Sequence, residues 1–177
     1  MEKSYKEYLQ HITTFVLDVD GVLTDGSVQV TTNGELYRTM NVKDGFALKT
    51  AVDEGFHMCI ISGGSNEGVR KRLEGLGITE IHLGAKDKVA LLNNFFKTNG
   101  IQSNQVIYMG DDIPDLAAMQ LVGLPCCPQD AVPEIKAVCK YISHKKGGKG
   151  AVRDIIQQVL KVQGKWLTTS NVSAKYD

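Results

Sequence analysis

Short apolar runs recur along this chain, each followed by a stretch with helical spacing, and that alternation restricts the fold more than any other feature. T-T-F-V-L-D (13–18), H-M-C-I-I (57–61), E-I-H-L (80–83) and Q-V-I-Y-M (105–109) read as buried strands. Helical spacing is predicted at 44–54, about 65–76, 87–98 and about 113–121. Further on, V-G-L-P-C-C (122–127) is partly extended, Pro133 opens a short helix, Y-I-S (141–143) is a last strand and 151–160 a last helix. Residues 2–11 form a short leading helix. Strands and helices alternating at this spacing imply an α/β fold: a Rossmann-like parallel sheet flanked by helices on both faces. S-V-Q-V-T (27–31) and E-L-Y-R-T (35–39) flank T-N-G and predict a small projecting β-hairpin over 27–39, with Asn33-Gly34 as its turn. The 177 residues suit one domain, with a flexible polar tail over 163–177.

The charge balance removes several function classes. Formal net charge is zero, so no broad field draws nucleic acid or an anionic membrane, and neither is expected as a partner. The start, M-E-K-S-Y-K-E-Y-L-Q-H, lacks the apolar core of a signal peptide. Cys59, Cys126, Cys127 and Cys139 form no C-x-x-C, and three of them sit in apolar stretches. Buried free thiols and a cytoplasmic location are the expectation.

In parallel sheets of this kind ligands bind at the carboxyl ends of the strands. That is where the unusual side chains fall: Asp18 and Asp20 after the first strand, Ser62 after the second, Asp111 and Asp112 after the fourth. Asp18 and Asp20 are two residues apart in extended chain and point the same way. Carboxylates converging with Asp111 repel one another unless a hard cation lies among them, and Mg²⁺ prefers such oxygen ligands. Asp18 is then a nucleophile, and Asp20 an acid and base for the leaving oxygen and for water. Ser62 can donate to a phosphoryl oxygen, and Lys88 can neutralise the charge of an approaching phosphate. Taken singly, Asp20-Gly21 is a turn, Ser62 a helix cap, Lys88 a solvated lysine and Arg72 part of a solvated helix face. Asp112 and Asp115 either support the metal shell or cap a helix. Lys149 or Arg153 in G-G-K-G-A-V-R could reach an anion.

D-V-D-G-V-L-T-D, I-I-S-G, the lysine of K-D-K and G-D-D-x-x-D resemble the four ordered motifs of the haloacid dehalogenase superfamily. The acid at the second position of D-x-D resembles its phosphatases and mutases. N-V-K-D-G-F-A-L-K and G-G-K-G-A-V-R carry the resemblance further, to the phosphatases of 3-deoxy-D-manno-octulosonate 8-phosphate in lipopolysaccharide precursor synthesis. The resemblance implies hydrolysis through a phosphoaspartyl intermediate, with Mg²⁺ held by Asp18, Asp111 and the backbone carbonyl of Asp20. It also implies substrate contacts from Asp20, Asn41, Val42, Lys43, Asp44, Gly45, Lys49, Gly64, Arg72 and Lys88. Many relatives carry arginine where this chain has Gly64, so one anion contact is missing or comes from elsewhere. No inserted cap domain fits between the motifs. The resemblance implies a homotetramer in which neighbouring hairpins close each site. A nine-carbon keto-deoxy sugar-acid phosphate as substrate, and a phosphoacceptor signalling domain, remain as alternatives.

Overall fold

The computed structural model describes residues 4–166. In chain order the elements are α1 (Tyr5–Leu9), β1 (Thr14–Leu17), β2 (Gln29–Val30), β3 (Leu36–Tyr37), α2 (Val42–Asp53), β4 (His57–Ser62), α3 (Glu67–Glu74), β5 (Glu80–Leu83), α4 (Lys88–Asn99), β6 (Val106–Met109), α5 (Leu116–Met119), β7 (Leu124–Cys127), α6 (Pro133–Val138), β8 (Tyr141–Ile142) and α7 (Ala151–Val162). Six strands form one sheet in the order β5-β4-β1-β6-β7-β8, and every pairing in it is parallel. The chain builds outward from β1 to β5, then crosses back to place β6 on the other side of β1. The reversal puts the mouth between β1 and β6, where such sheets open a crevice for ligand.

Alternation along the buried strands divides the apolar side chains between two cores. Phe15, Leu17, Ile60, Ile107 and Met109 face one layer with residues of α2, α3 and α7. Val16, Cys59, Ile61, Val106 and Tyr108 face the other with residues of α4, α5 and α6. Strands buried on both faces explain why these runs are continuously apolar rather than alternating. All four cysteines are free thiols. No helix among the described residues is long and apolar enough to cross a membrane.

Between β1 and α2 the chain inserts only the β2–β3 hairpin, and between β4 and α4 only α3 and β5. The hairpin turn differs from the two-residue Asn33-Gly34 expected. Gln29 pairs with Tyr37 and Val30 with Leu36, and the Gly34 N–H donates to the Thr31 carbonyl. Only Gly34 has positive φ there, so the loop is a three-residue turn closed by a left-handed glycine. Asn33 keeps ordinary backbone because the extra residue absorbs the twist. Of the tail expected to be flexible, the part up to residue 166 is packed: Gln163 donates to the carbonyls of Leu9 and Ile12, and the Lys165 N–H donates to the Leu160 carbonyl. Residues 167–177 lie outside the described residues.

Candidate active site

Asp18, Ser62 and Asp111 sit where strands run out. The Asp18 N–H continues the ladder by donating to the Met109 carbonyl, so Asp18 is fixed in register with the end of β6. Beyond it, Val22, Leu23 and Thr24 all donate N–H to the Val19 carbonyl, which winds the chain into a tight turn. Gly21 lies in that turn at φ +80°, and any Cβ there would collide with the Asp111 carboxylate. Glycine is therefore required so that the β1 turn and the β6 acid can meet. The G-G-K-G loop buttresses the turn from outside, with the Gly148 N–H donating to the Val22 carbonyl.

Lys88 is the first residue of α4, the wrong end of a helix for a positive charge. Its stabilisation is electrostatic instead. Nζ lies 2.9 Å from Asp18 Oδ2 and 2.7 Å from Asp115 Oδ1, with the side chain 7% exposed. Asp115 is fully buried; it also accepts from the Tyr108 hydroxyl at 2.8 Å and from the Asp111 N–H. Its role is thus to hold Lys88 against Asp18. Asp112, exposed, accepts from the Ile113 N–H and caps the turn that carries Asp115. Tyr108, read from sequence as core, is core by its ring and part of the network by its hydroxyl; an apolar run gives no sign of that second role.

Oxygens of Asp18, Asp111 and Asp115 all lie within 4.8 Å of one another. Burial, then repulsion from Asp115, pushes Asp18 up to about 6 even though Lys88 pulls it down. Burial, then the charge of Asp18, pushes Asp111 up to about 7. Burial alone would lower Lys88, but Asp115 and Asp18 outweigh it and raise it. Three carboxylates against one ammonium leave two negative charges, which a divalent cation would neutralise. With Asp115 committed to Lys88 and Tyr108, Asp18 and Asp111 are the carboxylates free to hold one. The donor set is all oxygen, so the residues fit a hard ion.

These groups open into a cavity of about 590 Å³ lined by Asp18, Asp20, Gly21, Ser62, Gly64, Lys88, Asp111 and Asp115. Ser62 is buried, and its Oγ accepts the Gly64 N–H at 3.2 Å. Asp20 is half-exposed and is held by Arg38, a residue that sequence reasoning missed. Arg38 lies at the foot of the hairpin, eighteen residues on, and alternation alone marks it as one more polar strand residue.

The expected substrate contacts do not all reach this cavity. Asn41, Val42 and Lys43 line a separate cavity with Lys149, Arg153 and His144. The Asn41 side chain caps α2 by accepting the Lys43 N–H. Asp44 is buried and accepts the N–H groups of Gly150 and Arg153, capping α7 from a neighbouring helix. Lys49 pairs with Asp53, and Lys149 with Asp25 at 3.2 Å. A Cβ on Gly45 would lie 2.5 Å from an Arg72 guanidinium nitrogen, and Arg72 lines a third cavity beside Arg38 and Asn66. The Arg153 guanidinium lies over the rings of Phe46 and Trp166.

Comparison with known proteins gives the fold a family. The model of the haloacid dehalogenase-like hydrolases matches residues 74–156. The chain is 35% identical over 156 residues to the 3-deoxy-D-manno-octulosonate 8-phosphate phosphatase KdsC of Salmonella typhi, covering 88% of this chain and 83% of that one. Its counterpart in Haemophilus influenzae is 33% identical over 160 residues, covering 90% and 89%. The crystal structure of the Moraxella catarrhalis phosphatase, in complex with magnesium ion, phosphate ion and a KDO molecule, superposes with a TM-score of 0.88 at 33% identity, covering 97% of both chains. A parallel sheet with paired acids at its β1–β6 mouth and relatives of this likeness over nearly their whole length lead to one assignment: the chain belongs to the haloacid dehalogenase-like hydrolases, among their phosphomonoesterases.

Proposed function

We propose that this chain is a Mg²⁺-dependent phosphatase that hydrolyses 3-deoxy-D-manno-octulosonate 8-phosphate to the free sugar acid and phosphate, through a phosphoaspartyl intermediate on Asp18. The observation that carries the reading is the Asp18–Lys88–Asp115 arrangement beside Asp111, open to a cavity that Asp20 and Ser62 also line. Likeness to KdsC phosphatases over most of the chain, and to a structure holding Mg²⁺, phosphate and KDO, supports the substrate.

Asp18 and Asp111 would hold the ion, with the Asp20 backbone carbonyl as a further donor. When bound, the ion supplies positive charge that lets a phosphate dianion approach a carboxylate. Lys88 holds the Asp18 carboxylate at Oδ2 and the Val19 N–H holds it at Oδ1, and the oriented carboxylate attacks phosphorus as the bond from phosphorus to the sugar oxygen breaks. Asp20 gives that oxygen its proton, and later takes one from the water that cleaves the acyl phosphate. Ser62 donates to a phosphoryl oxygen, and the buried lysine offsets the charge gathered there.

We further place the enzyme in a homotetramer and in the cytoplasm, within lipopolysaccharide precursor synthesis. Val30, Leu36 and Tyr37 of the hairpin, together with Val42 and Ile113, are exposed apolar side chains of a kind that association covers. Asn41, Val42, Lys43 and Lys49 would then contact sugar in a neighbour's site, since they do not line the catalytic cavity of their own chain. Four free thiols suit a reducing compartment. The deciding experiment assays phosphate release from a panel of eight- and nine-carbon keto-deoxy sugar-acid phosphates, with Mg²⁺ and with EDTA. Metal-dependent turnover that favours the eight-carbon acid is expected. Turnover indifferent to EDTA, or a preference for another ester, overturns the reading.

A further inference from the structure

Arg38 closes on Asp20 as a fork: Nε donates to Oδ1 at 2.7 Å, and Nη2 donates to Oδ2 at 3.1 Å. Nη1 donates to the Leu36 carbonyl at 3.2 Å. The Arg38 side chain is 8% exposed, although the hairpin strands before it are exposed. A guanidinium withdrawn from water and paired on two atoms is held in one orientation.

Gly64 is what leaves it room. A Cβ at that position would lie 3.1 Å from Asp20 Oδ2, 3.2 Å from Arg38 Nη2 and 3.7 Å from Ser62 Oγ. Arg38 therefore stands in the space a side chain at 64 would enter. On one side of the Arg38–Asp20 pair lies the catalytic cavity, to which Asp20 and Gly64 contribute. On the other lies a cavity of about 440 Å³ lined by Arg38, Arg72, Asn66 and Tyr37, with no carboxylate among the described residues that line it. The ion pair is the partition between the two. A guanidinium has five N–H groups. Three are used in the bonds above, which leaves one N–H on each terminal nitrogen to offer a ligand.

We propose that Arg38 is a specificity-determining residue, whose outer pair of N–H groups receives the carboxylate of a phosphorylated sugar acid that spans the two cavities. The phosphate lies with Asp18 and Lys88 while the acid end lies on the hairpin side of the partition. Two guanidiniums facing a cavity without an acidic wall make an anion the fitting occupant there. The inference rests on the proposed phosphatase reading.

The test compares kcat/KM for the sugar-acid phosphate and for the same phosphate ester with its carboxyl reduced to an alcohol. Arg38→Ala should lower the ratio of the two by about 30-fold, mainly through KM for the acid. Arg38→Lys should recover part of the ratio, and Arg38→Ala combined with Gly64→Arg should recover more. Arg38→Gln, which keeps a polar side chain but loses the charge and the fork, serves if the alanine variant fails to fold. Calorimetry with the free sugar acid, which carries no phosphate, should show the same weakening. A fall in kcat that is equal on both esters would make Arg38 only a brace for Asp20 and overturn the proposal, as would an unchanged ratio in both the alanine and glutamine variants. Wild-type enzyme that releases no phosphate from any sugar acid would instead sink the phosphatase reading, and this inference with it.

Discussion

Two ion pairs flank the same cavity, and they are held by different means. Lys88, at the start of α4, sits between Asp18, just past the end of β1, and Asp115, in the turn before α5, with side chains 7%, 12% and 1% exposed. Arg38 and Asp20 meet across a hairpin, and the Asp20 side chain is 34% exposed. In the first region burial and mutual pairing fix the side chains, so charge can be concentrated to the point of favouring a cation. In the second, water still competes, and the hairpin path decides whether the partners meet. Under the proposed function, the chemistry lies in the rigid region and recognition in the adjustable one.

The largest expected effect is chemical. Asp18→Asn keeps the size of the side chain and removes the attacking oxygen, so phosphate release should fall by roughly four orders of magnitude or more. Circular dichroism should show an unchanged fold. Substantial turnover in a folded, homogeneous sample would move the nucleophile elsewhere.

Stability separates the two ion pairs next. Lys88→Met leaves Asp18 and Asp115 buried without their counter-charge, which should cost about 3 kcal/mol in metal-free urea unfolding. Arg38→Met breaks a partly solvated pair and should cost about 1 kcal/mol or less. Equal losses would erase the contrast between the regions.

The acid cluster also sets a pH dependence. Asp18 at about 6 and Asp111 at about 7 are raised above the 3.8 of a free aspartate. Between those limits the folded state holds protons that the unfolded state has released, so stability falls as pH rises. Their contribution is complete below about pH 4 and is lost through pH 6 to 7. Mg²⁺ competes with the same protons, so it should raise the thermal midpoint more at pH 8 than at pH 5. An equal shift at both pH values would mean that the ion binds elsewhere.

The smallest effect on stability is expected at the hairpin. Val30→Lys with Leu36→Lys alters exposed side chains and should change folding stability by about 0.5 kcal/mol at most. Light scattering should nevertheless show smaller particles. If the proposed homotetramer forms and survives the change, its subunit contacts lie on another face.

The sequence made the rigid region readable and the adjustable one largely unreadable. Asp18, Asp20, Ser62 and Asp111 follow apolar runs directly, so calling the strands located them at one sheet edge. Helix bounds came within a residue or two where a cap marks the start, as Asp87 does for α4. The task of Asp115 was not legible, because G-D-D-x-x-D does not say which acid turns inward toward Lys88. Arg38 was hidden for a related reason: its partner depends on how the loop after β1 returns to the mouth, a tertiary path with no local pattern. Asn41 and Asp44 sit at helix starts and cap α2 and α7. A polar residue at a helix start can equally well be a ligand contact.

The claim on which the rest depends is that Asp18 takes the phosphoryl group, and trapping tests it directly. An aryl phosphate carries a good leaving group, so the first step needs little help from Asp20. Asp20→Asn should therefore form the acyl phosphate and fail to hydrolyse it. After an acid quench under single turnover with Mg²⁺, mass spectrometry should find one phosphoryl group on the peptide that carries Asp18. Asp18→Asn should give none. A phosphoryl group on another residue, or complete turnover with no adduct in Asp20→Asn, would contradict the account.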